Sequence, residues 1–260
     1  MINTHLYQFS KAIVKTPCRN FINGLTTAGL GLPDYYLAGE QHNGYIKALE
    51  GCDLDVTVLE ADENYPDSVF IEDTALLTPH CAIIMRPGAP SRKGEVDTIL
   101  PVIRKYFERI EAIRSPGTMD AGDILRTDDC YFIGLSSRTN IDGAQQLIDI
   151  INTYGLSGDI VPLKKMLHLK SGAAYLGHDT MVVTGELTNQ PAFQRFNLVK
   201  IADRESYAAN SIQINGTVIL PDGYPKARRA IEKAGFNTIA VDVSEFQKLD
   251  GGISCLSLRF

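Results

Sequence analysis

The sequence predicts an α/β ring: five modules, each a pair of short strands with a covering helix, closed around a central channel. Paired strands recur at Val69 to Leu77 with Cys81 to Met85, at Asp123 to Arg126 with Tyr131 to Leu135, and at Ala173 to Leu176 with Thr180 to Val183. A further pair spans Ser211 to Ile214 and Thr217 to Leu220, and the C-terminal strand begins a fifth unit. These units start about 35 to 55 residues apart, the spacing of repeat architectures rather than of an open sheet.

Each element has a local reason. The apolar strand at Ala12 to Lys15 must meet the C-terminal strand, or the ring would keep an open edge. A helix is expected over Tyr36 to Glu50. A second follows from the helical spacing of Val96, Ile99, Leu100, Ile103, Tyr106 and Ile110, with Pro101 implying a kink or a late start. Ala144, Leu147, Ile148, Ile151 and Tyr154 form a third stripe closed by Gly155, and Ala227, Ala230, Ile231 and Ala234 a fourth closed by Gly235. Asn215-Gly216 between two apolar alternations reads as a hairpin turn. No linker or charge block divides the chain, so one domain over residues 1–260 is expected.

Composition narrows the function. A net charge of −6 with 22% charged residues argues against nucleic acid or an anionic membrane surface, and suits a cationic small substrate. The five cysteines are odd in number and lack C-x-x-C spacing, which predicts a reducing compartment and no zinc site. The N-terminal residues lack a signal-peptide pattern and no stretch reaches membrane-spanning length, so a cytoplasmic protein is expected.

The chemistry concentrates in a few segments. Gly251-Gly252-Ile253-Ser254-Cys255 puts a thiol just after two glycines, in what reads as a strand, where the diglycine would let backbone approach a ligand closely. A lone cysteine in an apolar strand is ordinarily an inert core residue. It becomes a candidate nucleophile only with a base, an orienting carboxylate and a charged substrate site. Asp67, Glu72 and Asp73 supply three carboxylates within seven residues, and an acid inside an apolar strand needs a cation. Gly117 to Asp123 holds a second acid pair, Asp120 and Asp123. His168 sits between two leucines, whereas His5, His42, His80 and His178 are weaker candidates. Cys255, His168 and Asp120 together match what thiol catalysis requires. No dinucleotide, phosphate-loop or metalloprotease motif competes, so no cofactor and no metal are expected.

Seven segments resemble the dimethylarginine dimethylaminohydrolase family: PDSVFIED (66–73), RPGAPSRKGEVDTI (86–99), GTMDAGD (117–123), GLSSRTN (134–140), LHLKSG (167–172), ESYAANSI (205–212) and DGGISCLSLRF (250–260). The resemblance runs nearly end to end, in the same order. It implies the pentein fold, a five-bladed α/β propeller, and hydrolysis of methylated arginine to citrulline through a covalent intermediate on Cys255. It implies His168 as proton carrier with Asp120 as its partner, and Asp67, Glu72 and Asp73 around the guanidinium. Arg92 and Arg138 would hold the substrate carboxylate, Leu25 would belong to a lid, and Leu249 carbonyl and Asp250 would contact the amino end.

A planar, permanently charged guanidinium does call for surrounding carboxylates, and a carboxylate for arginine forks. Rival readings are an arginine deiminase-like hydrolase, an amidinotransferase, and a non-catalytic pentein that binds a ribosomal subunit. A homodimer is left open.

Overall fold

The computed structural model describes residues 8–260, so His5 lies outside the described residues. Five three-stranded sheets repeat one connection. In the second blade β3 (Ala75–Leu77) pairs antiparallel with β4 (Ala82–Ile84), and a helix (α2, Glu95–Ile103) returns the chain to β5 (Ile110–Ala112), parallel to β4. The third blade repeats this with β6 (Ile124–Arg126), β7 (Tyr131–Leu135), α3 (Ile141–Asn152) and β8 (Gly158–Pro162). The fourth has β9 (Ala173–Gly177), β10 (Thr180–Val183) and β11 (Asn197–Lys200), with 3-10 turns in place of the helix. The fifth has β12 (Ile212–Ile214), β13 (Thr217–Pro221), α4 (Pro225–Lys233) and β14 (Asn237–Val241).

The first blade joins both ends of the chain. β1 (Lys11–Lys15) runs parallel to β2 (Asp55–Leu59) through α1 (Tyr35–Glu50), and antiparallel to the C-terminal β15 (Leu258–Arg259), which follows the short α5 (Ser244–Gln247). The pairing that ring closure demanded is therefore present.

Why the sheets form a ring follows from their faces. Side chains alternate across a strand, and here both faces are buried, each against a different neighbour. In β4 and its flanks, Ala82 and Ile84 pack toward the first blade with Ile13 and Leu258, while Cys81, Ile83 and Met85 pack toward the third with Ile124 and Ile133. Five such cores, one between each pair of adjacent blades, close the circle. Local signals agree: Asp34 caps α1 by accepting from the Tyr36 and Leu37 N–H groups, and Asn140 caps α3 through Gly143. Asn215 and Gly216 turn the β12–β13 hairpin with φ of 49° and 90°, as a primed turn requires.

Besides the covering helix that the fourth blade lacks, three expectations change. The helix expected to reach Ile110 ends at Ile103, seven residues short, because Pro101 cannot continue it for long and Ile110 belongs to β5. The third strand of each blade is an addition: β2 and β5 are half-exposed and carry no strong alternation. The strands expected over Val69 to Leu77 and at Asp123 begin later, at Ala75 and Ile124, and a 3-10 turn occupies the residues before them. Likewise Cys255 lies in a 3-10 turn, Ser254–Leu256, ahead of β15.

Those turns organise the molecule. β3, β6, β9, β12 and β15 are the inner strands, and all five line one cavity on the axis. Immediately before them come the turns carrying Glu72 and Asp73, Asp120 to Asp123, His168 to Lys170, Asn210, and Ser254 with Cys255. Equivalent positions of five repeats thus meet at one place.

Candidate active site

The axial channel is divided into two cavities. The front one, about 210 Å³, is lined by Leu25, Asp67, Asp73, Arg92, Arg138, His168, Leu249, Asp250 and Cys255, with Thr26, Thr27, Phe70, Leu167 and Gly251. Nine of the residues singled out from sequence therefore share it, and two do not. Asp120 is fully buried behind His168, whose Nε2 lies 3.1 Å from Asp120 Oδ2. Glu72 faces the rear cavity, about 130 Å³.

Both oxygens of Glu72 are engaged by neighbouring side chains. Its Oε1 lies 2.6 Å from Lys170 Nζ and 2.9 Å from Arg259 Nη2, and its Oε2 accepts from Ser254 Oγ at 2.8 Å. This cluster is the floor between the cavities. It holds the turn that carries Cys255, and the Asn210 carboxamide fixes the same turn by accepting the Ser254 N–H at 2.8 Å.

Cys255 is 8% exposed, and its Sγ accepts the Gly252 N–H at 3.4 Å. Burial, then the charges of Glu72 and Asp73, push its thiol up to about 12, against smaller lowering by the Gly252 N–H and by Lys170. The ring of His168 shares the cavity with the thiol rather than a hydrogen bond. Burial alone would lower the imidazole, but Asp73, the Asp120 hydrogen bond and the charge of Asp123 outweigh it and raise it to about 9. At neutral pH the resting pair is a neutral thiol and an imidazolium.

Asp73 is its counter-charge. Burial opposes ionisation, yet His168 and Arg92 bring its carboxyl down to about 2. Its Oδ1 accepts the Gly122 N–H at 2.9 Å and its Oδ2 meets Arg92 Nη1 at 2.6 Å. A Cβ at Gly122 would come within 2.8 Å of both Asp73 Oδ1 and His168 Nδ1, so only glycine lets this turn pass beneath them. Asp67 accepts the Leu25 N–H at 2.9 Å, and burial raises its carboxyl although Arg92 opposes this.

Asp73, Asp120 and His168 present ligand atoms within 4.8 Å of one another. Their charge is already balanced: Arg92 holds Asp73, while Arg138 at 3.4 Å and His168 hold Asp120. The donor set is spoken for by the protein's own cations.

The two arginines differ. Arg92 is 4% exposed and bonded to Asp73, to both oxygens of Glu95, and to the Phe70 carbonyl. One arm of its fork holds Asp73 in place, and the rest is spent on Glu95 and backbone carbonyls. Arg138 is more open, and its long 3.4 Å contact to Asp120 leaves donors toward the cavity. At the mouth, Leu25 is 42% exposed, and Asp250 accepts from both the N–H and the hydroxyl of Thr27, so the 24–28 segment is tied to the Asp250 turn. Asp250 itself has φ of 58°. The glycines after it serve packing: a Cβ on Gly251 would strike the Phe70 ring, and one on Gly252 the Asn210 side chain.

Sequence reasoning missed Ser254, Lys170, Arg259, Asn210 and Thr27. Lys170, Asn210, Ser254 and Arg259 stood within the quoted segments, but spacing alone does not reveal which way adjacent residues face.

Comparison with known proteins gives a consistent picture. A family model described as N,N dimethylarginine dimethylhydrolase, eukaryotic, matches residues 36–258. The N(G),N(G)-dimethylarginine dimethylaminohydrolase of Pseudomonas aeruginosa is 51% identical over 97% of this chain and 100% of its own. That of Streptomyces coelicolor is 32% identical over 96% of each chain. Among solved structures, a cysteine-to-serine mutant of the Pseudomonas aeruginosa enzyme with citrulline superposes at TM-score 0.96 with 50% identity, covering 98% of this chain and all of that one. A histidine-to-glycine adduct of dimethylarginine dimethylaminohydrolase with S-methyl-L-thiocitrulline also reaches 0.96, with 50% identity over 97% of this chain and all of that one. The N-terminal domain of a cyanobacterial arginine dihydrolase, at 17% identity and TM-score 0.87 over 96% of both chains, shares the pentein fold.

Proposed function

The chain belongs to the dimethylarginine dimethylaminohydrolase family, and from that premise we propose that it hydrolyses Nω-methylated arginines to citrulline, with Cys255 as nucleophile. The observation that carries this is the front cavity, where a thiol, an imidazolium and buried carboxylates converge with an arginine near its rim. The substrate guanidinium lies against Asp73 and Asp67, its amino-acid end toward Arg138, Asp250 and the Leu249 carbonyl.

The sequence of bonds follows from the resting charges. A bound guanidinium beside Cys255 offsets Glu72 and Asp73, and the thiol loses its proton to solvent as substrate enters. The thiolate attacks the guanidinium carbon, forming C–S. The imidazolium of His168, held at Nε2 by Asp120, donates the Nδ1 proton to the departing amine. Dimethylamine or methylamine leaves, and a cationic thiouronium stays on Cys255. Neutral His168 then takes a proton from water as that water attacks the same carbon. The C–S bond breaks, citrulline leaves and the thiol regains a proton. Positioned proton transfer of this kind contributes about 10²- to 10⁴-fold.

Asp73 stabilises the cation on both sides of the reaction, and Arg92 keeps it ionised and aimed. Glu72 acts from the floor. No residue needs a metal or an organic cofactor in these steps. The same proposal takes residues 1–260 as one catalytic domain acting in the cytoplasm, alone or as a homodimer; the closed ring and the five unpaired cysteines support the domain and the compartment.

A substrate panel scored for citrulline tests the reading. Dimethylarginine and monomethylarginine should be turned over far faster than arginine, and Cys255→Ser should lower the rate by on the order of 10⁴-fold or more. Preferential hydrolysis of arginine would favour the deiminase reading, and a fully active Cys255→Ser would sink the mechanism.

A further inference from the structure

Asp123 is the acid that the sequence pairs with Asp120 and that the proposed chemistry leaves unused. It is fully buried and does not line the front cavity. A buried carboxylate without partners would be expensive, so its contacts need an account. Oδ1 accepts the N–H of Leu169, the residue after His168, at 2.9 Å. Oδ2 accepts from Ser136 Oγ at 2.6 Å. That same hydroxyl oxygen accepts the N–H of Arg138 at 3.0 Å and of Thr139 at 3.2 Å.

One carboxylate therefore ties the segment carrying the imidazole to the loop carrying the half-buried Arg138 fork. Gly134 in β7 makes room for it, since a Cβ there would come within 2.9 Å of Asp123 Oδ1. The two segments come from different blades, the third and the fourth, and no strand pairing joins them. The turn before β6 is where they are joined.

We propose that Asp123 is a positioning residue that sets His168 and Arg138 together, giving the proton carrier and the carboxylate-binding fork one buried anchor. It touches no ligand. It acts through Leu169 on the first and through Ser136 on the second.

Charge adds a second handle. The groups that act on His168 are Asp73 from the turn before β3, with Arg92 paired to it, and Asp120 with Arg138 paired to it. Asp123 completes the set, with Cys255 across the cavity and Lys170 two residues on, tied to Glu72. Asp123 is one of three carboxylates that favour the imidazolium.

The inference rests on the proposed hydrolysis at Cys255, and the experiment separates the two. Citrulline release from dimethylarginine is measured between about pH 5.5 and 10 for the intact protein, Asp123→Asn and Ser136→Ala, with a melting temperature for each. Asp123→Asn keeps the shape and an acceptor for the Leu169 N–H but removes the charge. It should lower kcat about tenfold or more and move the basic limb set by His168 downward from about 9. Ser136→Ala keeps the charge and cuts the Arg138 arm. It should raise KM severalfold and leave the limb in place.

An Asp123→Asn protein with unchanged kcat and limb, whatever its melting temperature, overturns the inference. So does a Ser136→Ala protein with unchanged KM, and that arm stands even where Asp123→Asn does not fold. An intact protein that releases no citrulline refutes the underlying hydrolysis instead.

Discussion

The two ends of the axial channel share three turns, those carrying Glu72 with Asp73, His168 with Lys170, and Ser254 with Cys255, yet they are chemically unlike. In front, Asp67, Asp73 and Asp250 face the cavity with His168 and Cys255, and the near partners of these acids are backbone N–H groups, the Thr27 hydroxyl and the buried Arg92. At the rear, Glu72, Lys170 and Arg259 satisfy one another, and small or aliphatic residues of the inner strands make up much of the remaining wall. Residues adjacent or one apart in the chain divide between the ends: Asp73 to the front and Glu72 to the rear, His168 to the front and Lys170 to the rear, Cys255 to the front and Ser254 to the rear. A 3-10 turn rotates successive side chains by about 120°, so adjacent residues part company. One end is left with charge to offer a ligand and the other is neutralised as a floor.

Substituting the neighbouring acids separately should expose this division. Asp73→Asn removes the counter-charge of both the imidazolium and the bound guanidinium, and should lower kcat/KM by about 10²- to 10³-fold. Glu72→Gln leaves Lys170 and Arg259 without their anion in a mostly buried place. It should cost about 3–5 kcal/mol of stability in chemical denaturation. Its effect on the affinity for guanidinium ligands should be the smaller of the two. If Glu72→Gln weakened such ligands as much as Asp73→Asn does, the division of the channel would be wrong.

A subtler effect crosses the floor, because electric fields reach further than contacts. Both Glu72 and Asp73 disfavour the Cys255 thiolate. Alkylation of the free protein by iodoacetamide should keep accelerating with pH beyond 10 instead of levelling near 9. The sign is fixed by the raised thiol pKa of about 12: raising pH through that value is what ionises it. At any one pH, Glu72→Gln should react faster than the unmodified protein. A plateau near pH 9, or no response to Glu72→Gln, would mean that the thiol does not feel the buried acids.

How much of this could be read from sequence depends on whether the signal was periodic or directional. The strand pairs, α1 and the Asn215-Gly216 hairpin were legible because apolar spacing and turn chemistry are local. The parallel outer strands were not, since β2 and β5 are half-exposed and alternate weakly. The turns before the inner strands read as strand because residues such as Val69, Phe70 and Ile71 are apolar for packing between blades, not for pairing in a sheet.

Direction was equally hidden at the site. Glu72 and Asp73 read as two acids on one cation, and the turn also gives each its own protein partners. Arg92 was expected, from the resemblance, to hold the substrate carboxylate, and it is a buried support for Asp73. The diglycine was expected to admit a ligand, and instead it admits Phe70 and Asn210. Sequence named the residues that converge, and only tertiary geometry assigned their directions.

The central claim is a covalent bond from Cys255 to the substrate's guanidino carbon, cleared by His168. The direct measurement is the intact mass and peptide map of acid-quenched His168→Gly protein after reaction with S-methyl-L-thiocitrulline, whose thiol leaving group departs without a strong acid. The account predicts an accumulated adduct confined to the peptide containing Cys255 and absent from the double variant with Cys255→Ser. An adduct on another residue, or its persistence in that double variant, would contradict it.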